Sequence, residues 1–370
     1  MIHFTCETNE LVSAVTVASR TVSLTSTIPA LEGILVTAGA LLSLTGYNLE
    51  TGISVSMEAD IREMGAAVFP TKLFGDIVRK LPGDTVTVQV DEGYRVKILS
   101  GISSFSIMAS SAEDYPALPD VEYDKAVTVP QNVLKDMISG TIFAVSENQA
   151  RPIQTGCKFE IDPETITVVA VDGYRLALRR EKIDNAQGRS LSFVAPAPAL
   201  REVENICADS DELITIIQGK RHLLFETGDT QLICRRLEGE FLDYKNAIPR
   251  TNPICVEAET KVLMESLDRV SVVISEKLKS PVRCLFDMDR VYLSAKTGNG
   301  EAKDSCAISG DGTGLEIGFN NRYLMDALRY APAEKVKLEM NTGISPCIIT
   351  PTDGSDNFLY MVLPVRLKAQ

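Results

Sequence analysis

The sequence predicts an α+β protein made of three copies of one module, each with two helices packed on antiparallel sheets, and three observations predict it. Short runs of alternating apolar and polar residues, the pattern of half-buried strands, recur along the whole chain. Each third opens with the same pair of patterns, a strand and then apolar residues at steps of three and four. Within each third a second helix is followed by strand runs separated by Gly or Asp/Asn turns, which is how antiparallel hairpins are written.

The first third opens on the strand Ile2 to Cys6, after which Leu11, Ala14, Val15 and Ala18 share one face of a helix over 7–20. A strand-rich stretch from Leu31 to Asp60 follows, then a helix over 71–81 and the runs TVTVQV, YRVKILSG and FSIMA. The middle third repeats the order. Ala126 to Val129 precedes Val133, Leu134, Met137 and Ile138 on a helix over 130–140; strands fill Gly156 to Ile183; a helix over 197–207 leads to LITIIQ, HLLFETG and QLICRRL. In the last third Ile254 to Val256 precedes Val262, Leu263, Leu267 and Val270 over 259–270, strands fill Pro281 to Ile308, and a helix over 320–330 leads to KVKLEM, PCIITP and FLYMVLPVRL. The prolines of Tyr115-Pro-Ala-Leu-Pro119 and Ala247-Ile-Pro249 end one third before the next begins. The modules are therefore expected at 1–121, 122–249 and 250–370, each long enough to bury its own core.

Composition excludes several function classes. With 370 residues, 45% of them hydrophobic and 24% charged, disorder and a collagen-like chain are out. Eight cysteines at 6, 157, 207, 234, 255, 284, 306 and 347 form no CxxC half-site, which fits buried thiols in a reducing compartment. Glu7 and Glu10 stand where a signal peptide needs a basic start and an apolar run, and no stretch is apolar enough for a membrane span, so a cytoplasmic location without a membrane is expected. Only His3 and His222 exist, which denies a zinc triad of histidines and leaves a Ser-His-Asp relay little to work with. Gly310-Asp-Gly-Thr-Gly314 lacks the Lys-Ser/Thr of a phosphate loop, and Asp353 to Asn357 lacks the closing glutamate of a calcium loop; both are expected as turns. No catalytic residue, metal ligand or cofactor site is nominated.

The net charge of −13 is unevenly spread. The six helical windows carry ten basic and ten acidic side chains, so the whole excess of acid lies on strands and loops. If the helices line one surface, a polyanion is accepted there and repelled elsewhere; ordinary solvated helix faces would give the same count.

Longer segments carry a resemblance. Ala170-Val-Asp-Gly-Tyr-Arg-Leu-Ala177, Ala150-Arg-Pro-Ile-Gln-Thr-Gly156, Glu238-Gly-Glu-Phe-Leu-Asp-Tyr244 with Ile248-Pro249, and the ending Tyr360-Met-Val-Leu-Pro-Val-Arg-Leu367 resemble the bacterial DNA polymerase III beta subunit, the sliding clamps. Ser26 to Pro29, Gly33 and the segment Ser275 to Lys277 resemble further family stretches, in the same order along the chain. The resemblance implies three DNA-clamp modules, a head-to-tail homodimer closing a ring with helices around the hole, and a noncatalytic processivity factor that needs no cofactor. Its implied partners are duplex DNA held by topology rather than sequence, and the polymerase III catalytic subunit, the clamp loader, other polymerases and repair proteins bound through short peptides.

Residue by residue, the resemblance implies a peptide groove between the second and third modules from Gln154, Val171, Gly173, Tyr174, Arg175, Leu176, Leu242, Asn246, Ala247, Pro346, Met361, Leu363, Pro364, Val365 and Arg366, with an apolar floor and Tyr174 and Arg175 as a polar rim. Gln154 stands where the family usually has an apolar residue and Leu242 where proline is common, so the peptide preference is left open. The DNA side is expected to use Arg20, Lys72, Arg79, Lys80, Lys135, Arg151 and Arg201, and the dimer seam Phe105, Val272 and Val273. Two other classes stay open at this point: a hydrolase using Asp172 or Asp243 as general base, and an inert repeat protein that binds others through its sheets.

Overall fold

The computed structural model describes residues 1–23, 25–122, 126–184, 190–274 and 280–367; the family-like segment Ser275 to Lys277 lies outside them. Seven α-helices occur among the described residues: α1 (Thr8–Ala18), α2 (Thr71–Val78), α3 (Gln131–Ile142), α4 (Ala197–Ile206), α5 (Tyr244–Ala247), α6 (Thr260–Ser271) and α7 (Asn321–Arg329). Six of them occupy the windows read from apolar spacing. The four-residue α5 is too short for such spacing and is fixed instead by Asp243, whose Oδ1 accepts from the Asn246 N–H.

All strand pairing is antiparallel, and each third repeats one wiring. Its first strand pairs with the first strand of its last hairpin: Ile2–Glu7 with Thr85–Val90, Ala126–Pro130 with Leu213–Gln218, and Ile254–Glu259 with Lys335–Met340. The helix that follows is tied to the same hairpin each time. Thr8 N–H donates to Asp84 O (2.8 Å), Gln131 N–H to Glu212 O (2.9 Å) and Thr260 N–H to Glu334 O (2.8 Å), which satisfies one of the donors every helix start leaves unpaired.

By packing, the chain divides into two compact units, 1–132 with 198–236, and 133–197 with 237–370. The first unit holds a five-stranded sheet ordered Asp60–Glu63, Ile2–Glu7, Thr85–Val90, Arg95–Ser100, Ser103–Met108. It also holds a nine-stranded sheet ordered Ser110–Ser111, Gly65–Pro70, Gly33–Ala38, Leu42–Tyr47, Thr51–Met57, Thr230–Arg235, His222–Thr227, Leu213–Gln218, Ala126–Pro130. The spacing on α1 comes out as predicted, with Leu11, Ala14, Val15 and Ala18 buried against Phe4, Ile34, Val36 and Val88. Phe74 of α2 packs edge-on to Phe69 with ring centres 4.8 Å apart.

The second unit holds a nine-stranded sheet ordered Leu191–Pro196, Gly156–Ile161, Thr165–Val171, Arg175–Lys182, Phe358–Val362, Cys347–Pro351, Lys335–Met340, Ile254–Glu259, Ser309–Gly310, and a four-stranded one ordered Gly300–Ala307, Arg290–Thr297, Val282–Phe286, Leu315–Phe319. Strand Arg175–Lys182 of the middle third thus pairs directly with Phe358–Val362 of the last, Leu176 opposite Met361 and Leu178 opposite Leu359. On one face of this seam Tyr360 is fully buried beside Phe143, and its hydroxyl donates to Tyr330 O at 2.9 Å, just past α7. The opposite face carries the site.

Candidate peptide groove

Because side chains alternate across a sheet, the residues flanking Tyr360 and Ala177 in sequence point to the other face. There Val171, Leu176, Met361 and Ile348 lie in one row over four adjacent strands, paired 171 to 176, 176 to 361 and 361 to 348. Val169, Leu178 and Leu359 make the next row, and together with Val194, Phe241 and Tyr244 they form one apolar cluster. Three residues expected in the groove, Val171, Leu176 and Met361, therefore come together in this cluster, a buried apolar floor.

The connection after Leu237 lies on this floor. Phe241 and Tyr244 are buried in it, while Leu242, Asn246 and Ala247 face outward. Glu160 holds the connection in place, accepting from the Tyr244 hydroxyl (2.7 Å) and pairing with Lys158 (3.0 Å) and Lys245 (3.2 Å). Burial would raise the Glu160 carboxyl, but hydrogen bonds from Tyr244, Lys158 and Lys245 outweigh it and hold it below its ordinary value.

The turn Asp172-Gly173-Tyr174 ends the floor on one side. Asp172 Oδ1 accepts from the N–H groups of Tyr174 (2.8 Å) and Arg175 (3.0 Å), and Gly173 adopts φ +91°, a conformation costly for any side chain. Tyr174 is exposed, as expected of a rim. Arg175 is not: it is 7% exposed, its Nε bonded to Asp172 (3.0 Å), its Nη1 to Asp326 of α7 (2.6 Å), and its guanidinium laid on the Tyr323 ring at 4.4 Å. The expected rim residue is a brace beneath the rim. Tyr323 in turn stacks with Tyr174, ring centres 6.3 Å apart.

A cavity of about 480 Å³ opens beside this turn, lined among others by Ser146, Asn148, Arg151, Gln154, Gly173, Tyr174, Arg175, Arg322 and Tyr323. Gln154 departs from the apolar residue the resemblance implies, and its buried Oε1 finds no hydrogen-bond partner. An incoming donor would satisfy it. Leu363 is half-buried and its N–H donates to Tyr174 O (2.9 Å), whereas Val365 N–H donates to Gly318 O (2.8 Å), carrying the chain end toward the four-stranded sheet. Of the residues expected in the groove, Gln154, Gly173, Tyr174 and Arg175 line the cavity, whereas Val171, Leu176, Leu242, Asn246, Ala247, Pro346, Met361, Leu363, Pro364, Val365 and Arg366 do not. Arg322 and Tyr323 escaped the sequence reading because nothing near them in sequence marks them; only α7 packing beside the turn brings them in.

The remaining expected residues fall as follows. Lys72, Arg79 and Lys80 are exposed on or just after α2, Arg201 is exposed on α4, and Arg20 lies 3.5 Å from Glu202; Arg79 is bonded to Asp76 (2.9 Å). Lys135 of α3 is half-buried. Arg151, expected on the DNA side, lines the cavity with Gln154 and Tyr174. Phe105 sits on the outermost strand of the five-stranded sheet; Val272 is 82% exposed just past α6, and Val273 lies by the hairpin that enters the outermost strand of the four-stranded sheet, its carbonyl accepting from Thr297 Oγ1 (2.8 Å).

The hydrolase reading loses its candidate bases: Asp172 caps the turn and pairs with Arg175, and Asp243 caps α5. Burial, aided by Arg235 and Arg221, lowers the His222 pKa. Among the described residues no cluster of three or more His, Cys, Asp or Glu is placed to hold a metal, and no helix is long and apolar enough to cross a membrane.

Comparison with known proteins bears on all of this. Models of the DNA polymerase III beta subunit match in sequence order: the N-terminal domain over 2–119, the central domain over 128–243 and the C-terminal domain over 245–366. The chain is 32% identical to the beta sliding clamp of Synechocystis over 98% of both chains. It superposes on the crystal structure of the Bacillus subtilis DNA polymerase sliding clamp with TM-score 0.93 and 29% identity, covering 99% of this chain and 100% of that one. The Pseudomonas aeruginosa clamp bound to griselimycin is similar at TM-score 0.92 and 26% identity, with 99% of this chain and 100% of that one covered.

Proposed function

The chain belongs to the bacterial DNA polymerase III beta subunits, the sliding clamps, and on that premise we propose how its own residues make the ring and the partner site. Membership carries the function: a noncatalytic processivity factor that encircles duplex DNA and tethers the replicative polymerase. Tethering turns repeated rebinding of the polymerase into an event at high local concentration. A cytoplasmic location accompanies this role. The modules are assigned to 1–121, 122–249 and 250–370.

The way the sheets end supports the ring. Each nine-stranded sheet joins four strands of one third to five of another, through Thr51–Met57 with Thr230–Arg235 and through Arg175–Lys182 with Phe358–Val362. The strands equivalent to these in the remaining two half-sheets are Gly300–Ala307 and Ser103–Met108, and both are outermost and unpaired on one side. Unpaired edges invite a partner strand. Joining the Ser103–Met108 edge of one copy to the Gly300–Ala307 edge of another makes a third nine-stranded sheet, and doing so twice closes a ring of six modules through a heterologous contact. Phe105, Val272 and Val273 stand at these two edges and are assigned to the seam.

The partner groove is assigned to the floor of Val171, Leu176 and Met361 with Gln154, Gly173, Tyr174, Leu242, Asn246, Ala247, Pro346, Leu363, Pro364, Val365 and Arg366 around it and Arg175 beneath. The equivalent place in the first nine-stranded sheet is filled by the chain itself: Gly52 stands where Leu176 does, and an added Cβ there would meet Leu118 at 2.4 Å. Arg20, Lys72, Arg79, Lys80, Lys135, Arg151 and Arg201 are assigned to DNA, where weak, screened phosphate contacts suit sliding.

Titrating a labelled peptide with leucine and phenylalanine anchors tests the groove. Losing one anchor's burial is worth roughly 1.5–3 kcal/mol, so Leu363→Asp and Tyr174→Ala are expected to weaken binding about tenfold or more without lowering the melting temperature. Unchanged affinity in both variants would move the site elsewhere.

A further inference from the structure

We infer that the second unit carries an additional partner pocket next to the groove, which takes an acidic segment bearing one apolar side chain from the same partner chain. This rests on the groove assignment above. The pocket lies one row further along the same sheet face, where Leu178 pairs with Leu359 two residues from Leu176 and Met361 on each strand. It has a volume of about 480 Å³, floored by Leu178 and Leu359 and walled by Ile248 and Pro249. Leu178, Leu359, Ile248 and Tyr244 belong to the same apolar cluster as the groove floor, so the two sites are continuous, with the α5 connection between them.

Charge selects the occupant. In a chain of net charge −13, this pocket is lined by three basic side chains, Arg180, Lys245 and Arg250, against one acidic one, Asp356. Arg180 bonds Asp356 (2.5 Å) and Lys245 pairs with Glu160 (3.2 Å), whereas Arg250 is exposed and makes no ion pair among the described residues. An apolar floor under a basic rim suits an acidic segment with one aromatic or aliphatic anchor, and a peptide already seated in the groove delivers that segment at high local concentration. A lysine-rich segment meets the same rim with repulsion.

The test uses the full chain and fluorescence anisotropy with synthetic peptides that share one leucine- and phenylalanine-bearing core. The core is extended at either end in turn by Glu-Phe-Glu, Lys-Phe-Lys or Ala-Ala-Ala. At one end the acidic extension is expected to tighten binding about tenfold over the alanine one. Arg250→Glu should remove that gain and Arg250→Lys keep it, with binding of the unextended core unchanged in both. Replacing the extension's phenylalanine with a photoreactive one should cross-link it to residues 244–250 or 355–359. Equal affinity for acidic and basic extensions, or a gain that survives Arg250→Glu, overturns the pocket while leaving the groove standing. Failure of the unextended core to bind the unaltered chain overturns the groove, and the pocket with it.

Discussion

Replacing Arg175 by methionine keeps most of the side chain's volume and removes its charge, which isolates the brace beneath Tyr174. Breaking a buried pair from one side typically costs roughly 3–5 kcal/mol, because the remaining charge is left without its partner. Here two carboxylates are left, Asp172 at 11% and Asp326 at 15% side-chain exposure. Neither is stranded completely. Asp326 keeps Arg322 and Arg329 at 4.0 Å, and Asp172 keeps the N–H groups of Tyr174 and residue 175. The lower end, about 3 kcal/mol, is therefore expected. For a cooperative unit of about 200 residues this lowers the melting temperature by roughly 6–12 °C. Differential scanning calorimetry reads it, and the double variant Arg175→Met/Asp326→Asn should recover part of the loss, since it removes one of the two uncompensated charges. Peptide affinity should fall as well, because the Tyr323 ring loses the guanidinium it lies on. A shift under about 2 °C, or a double variant less stable than Arg175→Met, would refute the brace.

Two further outcomes are expected. Glu160→Gln should destabilise the chain at neutral pH; since the folded carboxyl is held below its ordinary value, its contribution is complete above about pH 4.5 and is lost as pH falls through the folded value, so the gap between the two urea midpoints should close in acid. Burial pushes the thiols of Cys6, Cys157, Cys234 and Cys347 up to about 12, while Cys255 is only half-buried and shifted upward less strongly; brief treatment of the native chain with N-ethylmaleimide, read by mass spectrometry, should give a first adduct at Cys255.

Local order was legible in the sequence because it is written locally. The period of 3.6 on α1 and α6 and the period of two on Thr85–Val90 name their elements and their buried faces without reference to the rest of the chain. The two seams were not legible, since the pairing of Thr51–Met57 with Thr230–Arg235 depends on strands far apart in sequence, whose alternation fits any neighbour of the right face. The site shows the same division. Val171, Leu176 and Met361 lie in runs buried on both faces, so no alternation marks their side and the family resemblance alone named them, while the burial of Arg175 depends on Asp326 and Tyr323, about 150 residues away. A charged residue after an Asp-Gly turn reads as exposed until its distant counter-ion is known.

Retention on circular DNA tests the topological hold most directly. The chain is loaded on a nicked plasmid by a clamp loader with ATP, the plasmid is cut once, and release is followed by gel filtration, with Phe105→Glu/Val272→Glu as a seam-broken control. The ring predicts retention on the intact circle, loss on cutting, and no retention of the control, which should elute as a monomer. Retention that ignores the cut, or a seam variant that stays on the circle, would contradict it.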